Sequence, residues 1–279
     1  MKRILLPTDF SENSWNAIKY ALQLFKDSEC NFTLLNTYTP MIYQFEYTLE
    51  SSVGAELVDA MRETSVSKLD EMVDRIEKEF KNPKHIFGKT SSFNTLLREI
   101  DELYEGNTMD LIVMGTKGAT GAKEILFGSN TVHVFKNAKC PVIAVPSGFE
   151  FEEPHEILFP SDYEVDFEDK HVALIKEIGS AYHARVNIMN VSYGYDLSEN
   201  QEKNRKKLEG YFKGIAHLFH NVSNQTVAGA ITEFQLKARV NLLTMINNKH
   251  SFFENLFFKS TINQIGFHLA IPFLVIPTK

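Results

Sequence analysis

Short apolar runs alternate along the chain with longer stretches whose apolar residues recur at helical spacing. The run Arg3–Pro7 predicts a buried strand that ends in a turn. Trp15, Ile18, Ala21, Leu22 and Phe25 follow at the three-and-four spacing of an amphipathic helix, capped by Ser11 or Asn13. Phe32–Asn36 predicts a second strand. A segment with Tyr38, Tyr43, Phe45 and Tyr47 then leads into a long charged helix over about Ala55–Phe80. A third strand near His85–Gly88, a third helix over about Phe93–Tyr104, a fourth strand at Asp110–Met114 and a fifth at Pro141–Val145 complete this half. Parallel strands need crossovers long enough to hold a helix, so the alternation predicts a parallel sheet covered on both faces.

The same order then repeats. Ile4-Leu5-Leu6-Pro7-Thr8-Asp9 has its counterpart in Ile157-Leu158-Phe159-Pro160-Ser161-Asp162, and Leu34-Leu35-Asn36 in Ile188-Met189-Asn190. Asp110-Leu111-Ile112-Val113-Met114 matches Asn241-Leu242-Leu243-Thr244-Met245, and Pro141–Pro146 matches Pro272–Pro277 at the same offset. A period this long is domain duplication, not a solenoid. The polar stretch Ser147–Pro154, with Gly148, three glutamates and Pro154, marks the boundary. The expectation is an α/β chain of two tandem doubly wound domains, residues 1–147 and 154–279, each with a five-stranded parallel sheet.

The chemistry concentrates after the fourth strand. Gly115-Thr116-Lys117-Gly118 is followed by nine residues and then by Gly128-Ser129. Glycines where a strand hands over to a helix let backbone N–H groups approach an anion, and such a nest cradles phosphate without basic side chains. Gly115 permits a tight exit from the strand, Gly118 leaves room beside phosphates and Gly128 frees the backbone before the helix. Ser129 adds a hydroxyl, and the helix N-terminus adds unpaired N–H groups with a partial positive charge. The spacing is not that of a P-loop, and the glycines follow the fourth strand rather than the first, which excludes a dinucleotide fingerprint. Lys117 and Lys123 either touch phosphate or, as the commoner reading of a loop lysine, are solvated, and His133 reads as a packed or solvent-facing residue rather than an acid–base group.

In the second half Gly115, Gly118 and Gly128 become Ile246, Lys249 and Lys259, while Ser129 persists as Ser260 and Asp9 as Asp162. Side chains now stand where bare backbone stood, so this half is expected not to hold a nucleotide in the same manner. Phe252, Phe253, Phe257 and Phe258 in its loop either fill the empty pocket or pack this half against the first, or else form a partner or small-ligand surface.

Composition narrows the classes. The chain has 279 residues and a net charge of −7, which excludes a general nucleic-acid or anionic-membrane binder but not a nucleotide held by backbone. Cys30 and Cys140 make neither a disulfide framework nor a metal quartet, and read as buried thiols. His183, His217, His220, His250 and His268 match no zinc signature, although His217 and His220 would share a helix face. After Met1-Lys2-Arg3 the apolar run is only Ile4-Leu5-Leu6, too short for a secretory core, and no run approaches a bilayer span. The cytoplasm is the default compartment.

Pro7-Thr8-Asp9-Phe10-Ser11 after the first strand, with the glycine motif after the fourth, resembles the universal stress protein family, and the doubling resembles its tandem members. The resemblance implies strand order 3-2-1-4-5 in each half, with ATP or AMP at the carboxyl ends of the first, second and fourth strands. It places Asp9 on the ribose or adenine side beside Pro7 and Thr8, and the Thr37 backbone against adenine. Met114, Gly115, Gly118, Gly128, Ser129 and Asn130 would surround the ribose and phosphates. Asp9 suits Mg²⁺ shared with the phosphates, since that ion needs only one or two carboxylates. No base or arginine accompanies it, so any ATP hydrolysis is weak. The implied function is a cytoplasmic stress-response sensor or switch. The alternatives are a nucleotide-independent interaction scaffold and a slow ATPase. The fifth strands of the two halves would pair within the chain to cover their edges, and a homodimer stays open.

Overall fold

The computed structural model describes residues 1–39, 52–116, 127–192, 194–248 and 270–278. Two compact units are present, Met1–Gly148 and Phe149–Lys279. The first runs β1 (Lys2–Pro7), α1 (Glu12–Leu24), β2 (Cys30–Thr37), α2 (Ser52–Glu79), β3 (His85–Ser92), α3 (Leu96–Glu105), β4 (Leu111–Gly115), α4 (Ser129–Asn137) and β5 (Val142–Val145). The second runs β6 (Glu156–Pro160), α5 (Asp169–Ala181), β7 (Arg185–Ser192), α6 (Glu199–Tyr211), β8 (His217–Ser223), α7 (Val227–Ala238), β9 (Leu242–Asn247) and β10 (Phe273–Pro277).

The strands of the first unit lie in the order β3-β2-β1-β4-β5 and those of the second in the order β8-β7-β6-β9-β10. Each is the expected 3-2-1-4-5, with parallel pairing: Leu5 faces Thr33 and Ile112 across its two ladders, as Leu158 faces Asn187 and Leu243. β1, β4 and β5 are near-continuous apolar runs because helices cover both faces of such a sheet. Ser11, not Asn13, caps α1, its Oγ accepting from the Ser14 N–H. α2 is charged on most sides and buries one stripe, Ser65, Leu69, Met72 and Ile76.

Two expectations needed correction. β3 continues past Gly88 to Ser92 and pairs with β2 along its whole length. Its outer half, Lys89-Thr90-Ser91-Ser92, is polar because a terminal strand of a sheet is not buried on both sides. His217 and His220 lie on the strand β8, not on a helix, so a spacing of three turns them to opposite faces. His220 Nε2 is 3.0 Å from Asn187 Oδ1, and His217 Nδ1 is 2.8 Å from the Ile215 carbonyl.

Buried and half-buried histidines set a pH limit on the fold. The Glu168 N–H donates to His171 Nδ1 at 3.0 Å, the capping arrangement at the start of α5. Burial holds the pKa values of His171, His85 and His220 below the ordinary 6.5. A depressed folded pKa means that charging costs more in the fold than in the unfolded chain. The stability tied to the neutral rings is therefore complete above about pH 6.5 and is lost as pH falls through the lower folded values. The melting temperature is expected to drop on acidification below about pH 6.5. His171→Gln keeps an acceptor and cannot charge, so its melting curve should show a shallower acid slope; an unchanged slope would clear His171 of the effect.

Candidate functional site

β1 lies between β2 and β4, so the direction of the crossovers reverses there and the strand ends diverge into a crevice. A cavity of about 330 Å³ occupies it. Pro7, Thr8 and Asp9 reach it from the end of β1, Thr37 from β2, Met114 and Gly115 from β4, and Gly128, Ser129 and Asn130 from the start of α4. Gly118, Lys117, Lys123, Tyr43, Phe45 and Tyr47 lie outside the described residues. So do Lys249, His250, Phe252, Phe253, Phe257, Phe258, Lys259, Ser260 and His268 of the second half. Four lining residues were not anticipated: Ser14, Leu35, Leu96 and Thr131.

The β1 exit is held by short-range bonds. The Thr8 N–H extends the ladder to the Leu35 carbonyl at 2.8 Å, and Thr8 Oγ1 accepts from the Phe10 N–H at 3.0 Å. Phe10 is left-handed, with φ 64°, which turns the chain toward α1. Asp9 is exposed, and its Oδ1 accepts from the Ser11 N–H at 3.1 Å and from Ser11 Oγ at 2.5 Å. Behind this turn, Asn36 Nδ2 donates to the Thr8 carbonyl, Ser65 Oγ to Asn36 Oδ1, and Ser91 Oγ to Ser65 Oγ, each at 2.8 Å. Asn36 and Ser65 are buried, so this polar chain ties β1, β2, α2 and β3 together where a missing partner is costly.

The β4–α4 side supplies backbone. The Gly128 N–H donates to the Thr116 carbonyl, and Thr131 Oγ1 to the Gly115 carbonyl at 3.0 Å. Gly128 is the N-cap of α4, with φ −62° and ψ 157°, and has no side chain to accept from the first turn. That turn carries no acidic residue, so its dipole faces the cavity without a built-in counter-charge. Neither Gly115 nor Gly128 uses a left-handed backbone. Gly115 ends a regular strand, and Gly128 is an extended N-cap.

The second unit repeats the strand exit and changes its cover. The Ser161 N–H bonds the Met189 carbonyl at 2.9 Å, Ser161 Oγ accepts from Tyr163 N–H, Tyr163 has φ 57°, and Asn190 Nδ2 donates to the Ser161 carbonyl. Here α6 adds Gln201 Nε2 to the Asp162 carbonyl at 3.0 Å and Asn204 Nδ2 to the Tyr163 carbonyl at 2.8 Å. Tyr163 is fully buried, and burial pushes its hydroxyl up to about 12. Ile246, in the place of Gly115, is buried as well.

Cys30 and Cys140 are free and buried, and burial pushes the Cys140 thiol up to about 12, far from a reactive thiolate. Among the described residues no three His, Cys, Asp or Glu side chains gather as a metal site, and no helix is long and apolar enough to cross a membrane.

Residues 1–146 match the Universal stress protein family. The chain is 32% identical over 147 residues to Universal stress protein MJ0531 of Methanocaldococcus jannaschii, covering 52% of this chain and 81% of that protein. It is 30% identical over 156 residues to Universal stress protein MJ0577 of the same organism, covering 52% and 94%. The crystal structure of a universal stress protein from Archaeoglobus fulgidus shares the fold over 99% of this chain and 98% of its own, with a TM-score of 0.72 at 20% identity. The chain belongs to the universal stress protein family.

Proposed function

We propose that the unit Met1–Gly148 binds an adenine nucleotide, ATP or AMP, and that the protein acts as a stress-response sensor or switch through that occupancy. One observation carries the reading: the glycine-capped start of α4 opens onto the cavity at the crossover reversal, opposite the ends of β1 and β2. The cavity volume falls within the range of small-molecule sites, about 300–1,000 Å³. Backbone N–H groups of the α4 first turn and the Ser129 hydroxyl suit phosphate. Pro7, Leu35, Thr37 and Leu96 form the less polar wall for a base. Asp9 suits a ribose hydroxyl or Mg²⁺ shared with the phosphates. It is the one titratable side chain among the described lining residues.

Calorimetric titration of the full chain with ATP, ADP, AMP and adenosine tests this. Affinity should rise with phosphate number, and adenosine should bind weakest. Absence of heat with all four, or adenosine binding as tightly as ATP, would overturn the reading. The rival reading of the protein, a nucleotide-independent interaction scaffold, draws on the degenerate second unit, where the buried Ile246 stands in the place of Gly115.

A further inference from the structure

The glycine at the end of β4 answers to a residue of α1. A β-carbon built onto Gly115 would overlap Asn13 Nδ2, stand 2.9 Å from Asn13 Cγ and 3.1 Å from the Asn13 carbonyl oxygen. Real β-carbons do not approach other atoms as closely as the first two contacts require. Asn13 is buried and sits in the first turn of α1, directly after the Ser11 cap. The Gly115 carbonyl in turn accepts from Thr131 Oγ1 in the first turn of α4.

We propose that Asn13 is a positioning residue of this site: its side chain fills the space that a β-carbon at position 115 would need, and it seats the end of β4 and, through the Thr131 bond, the start of α4. The consequence for ligand affinity rests on the nucleotide reading above; the steric pairing itself does not. The second unit offers an internal comparison. By strand register, Gly115 pairs with Val145 as Ile246 pairs with Ile276. A full side chain is accommodated at Ile246, and there α5 begins only at Asp169, well past Asp162; its second residue, as Asn13 is the second of α1, is the exposed Lys170. Glycine and the early asparagine are present together in one unit and absent together in the other.

The alternative is that glycine is needed at 115 because the ligand approaches the backbone. A four-variant comparison on the full chain separates the two: parent, Gly115→Ala, Asn13→Ala and Asn13→Ala with Gly115→Ala. Melting temperature and ATP affinity are read, the latter at a temperature where every variant is folded. Gly115→Ala should lower both, with affinity down roughly tenfold, as overpacking of this kind costs. The double variant should recover most of each loss and come within about threefold of Asn13→Ala alone in affinity. A double variant as weak for ATP as Gly115→Ala would overturn the proposal in favour of the ligand, and a harmless Gly115→Ala would overturn it outright. If the parent binds no ATP, the nucleotide reading fails, and recovery or non-recovery of the melting temperature still decides whether Asn13 and Gly115 are paired.

Discussion

Gly128→Asp should abolish nucleotide binding while leaving the fold as stable as the parent or slightly more so. The cap position has φ −62° and ψ 157°, the extended geometry in which aspartate is a preferred N-cap. Its carboxylate would accept from the N–H groups of the first turn and add a few tenths of a kcal/mol over glycine. The same carboxylate would take the place proposed for phosphate and repel it. Two unit charges about 4 Å apart at an effective dielectric of about 20 repel by about 4 kcal/mol, on the order of a thousandfold in affinity. Thermal melting and calorimetry on the same samples check both halves. Melting unchanged or raised with ATP affinity lost is the expected pair; retained affinity would move the phosphates away from α4.

Asn36→Ala carries the second large effect. It removes the donor to the Thr8 carbonyl and the acceptor of Ser65 Oγ, both in buried surroundings. An unsatisfied buried group costs about 1–3 kcal/mol, so the unit should lose about 2–4 kcal/mol in denaturant titrations. The lesion lies one residue from Thr37 and directly behind Thr8, so ATP affinity should fall roughly tenfold as that wall relaxes. Asn190→Ala is the matched control, since Asn190 Nδ2 makes the same bond to the Ser161 carbonyl. It should destabilise its own unit and leave ATP affinity untouched. Equal affinity losses in the two variants would break the assignment of the site to the first unit.

Much of the fold could be read from periodicity alone. The strand order needed the family resemblance, but the strands themselves showed as apolar runs, because sheets covered on both faces leave no polar alternation to confuse them. β3 was cut short for the opposite reason: its outer half is polar. The strand ends that line the cavity carried their own signal in Pro7-Thr8-Asp9 and in the glycines. Ser14, Leu35, Leu96 and Thr131 did not, since each enters the site through tertiary placement and has an ordinary local reading as a cap neighbour or a core side chain. The cause of Gly115 was invisible for the same reason, its partner lying in α1 on the far side of two strands in sequence. Gln201 and Asn204 stand in a very polar helix, and only the fold turns them onto the backbone of the β6 exit.

The glycine cap of α4 also has a thermodynamic side. A helix whose terminus takes its counter-charge from a dissolved anion is completed by the medium, and mass action then makes resistance to heat rise with the logarithm of solute concentration. If the proposed site takes up an anion, the thermal midpoint of the unit Met1–Gly148 would then serve as a gauge of its concentration.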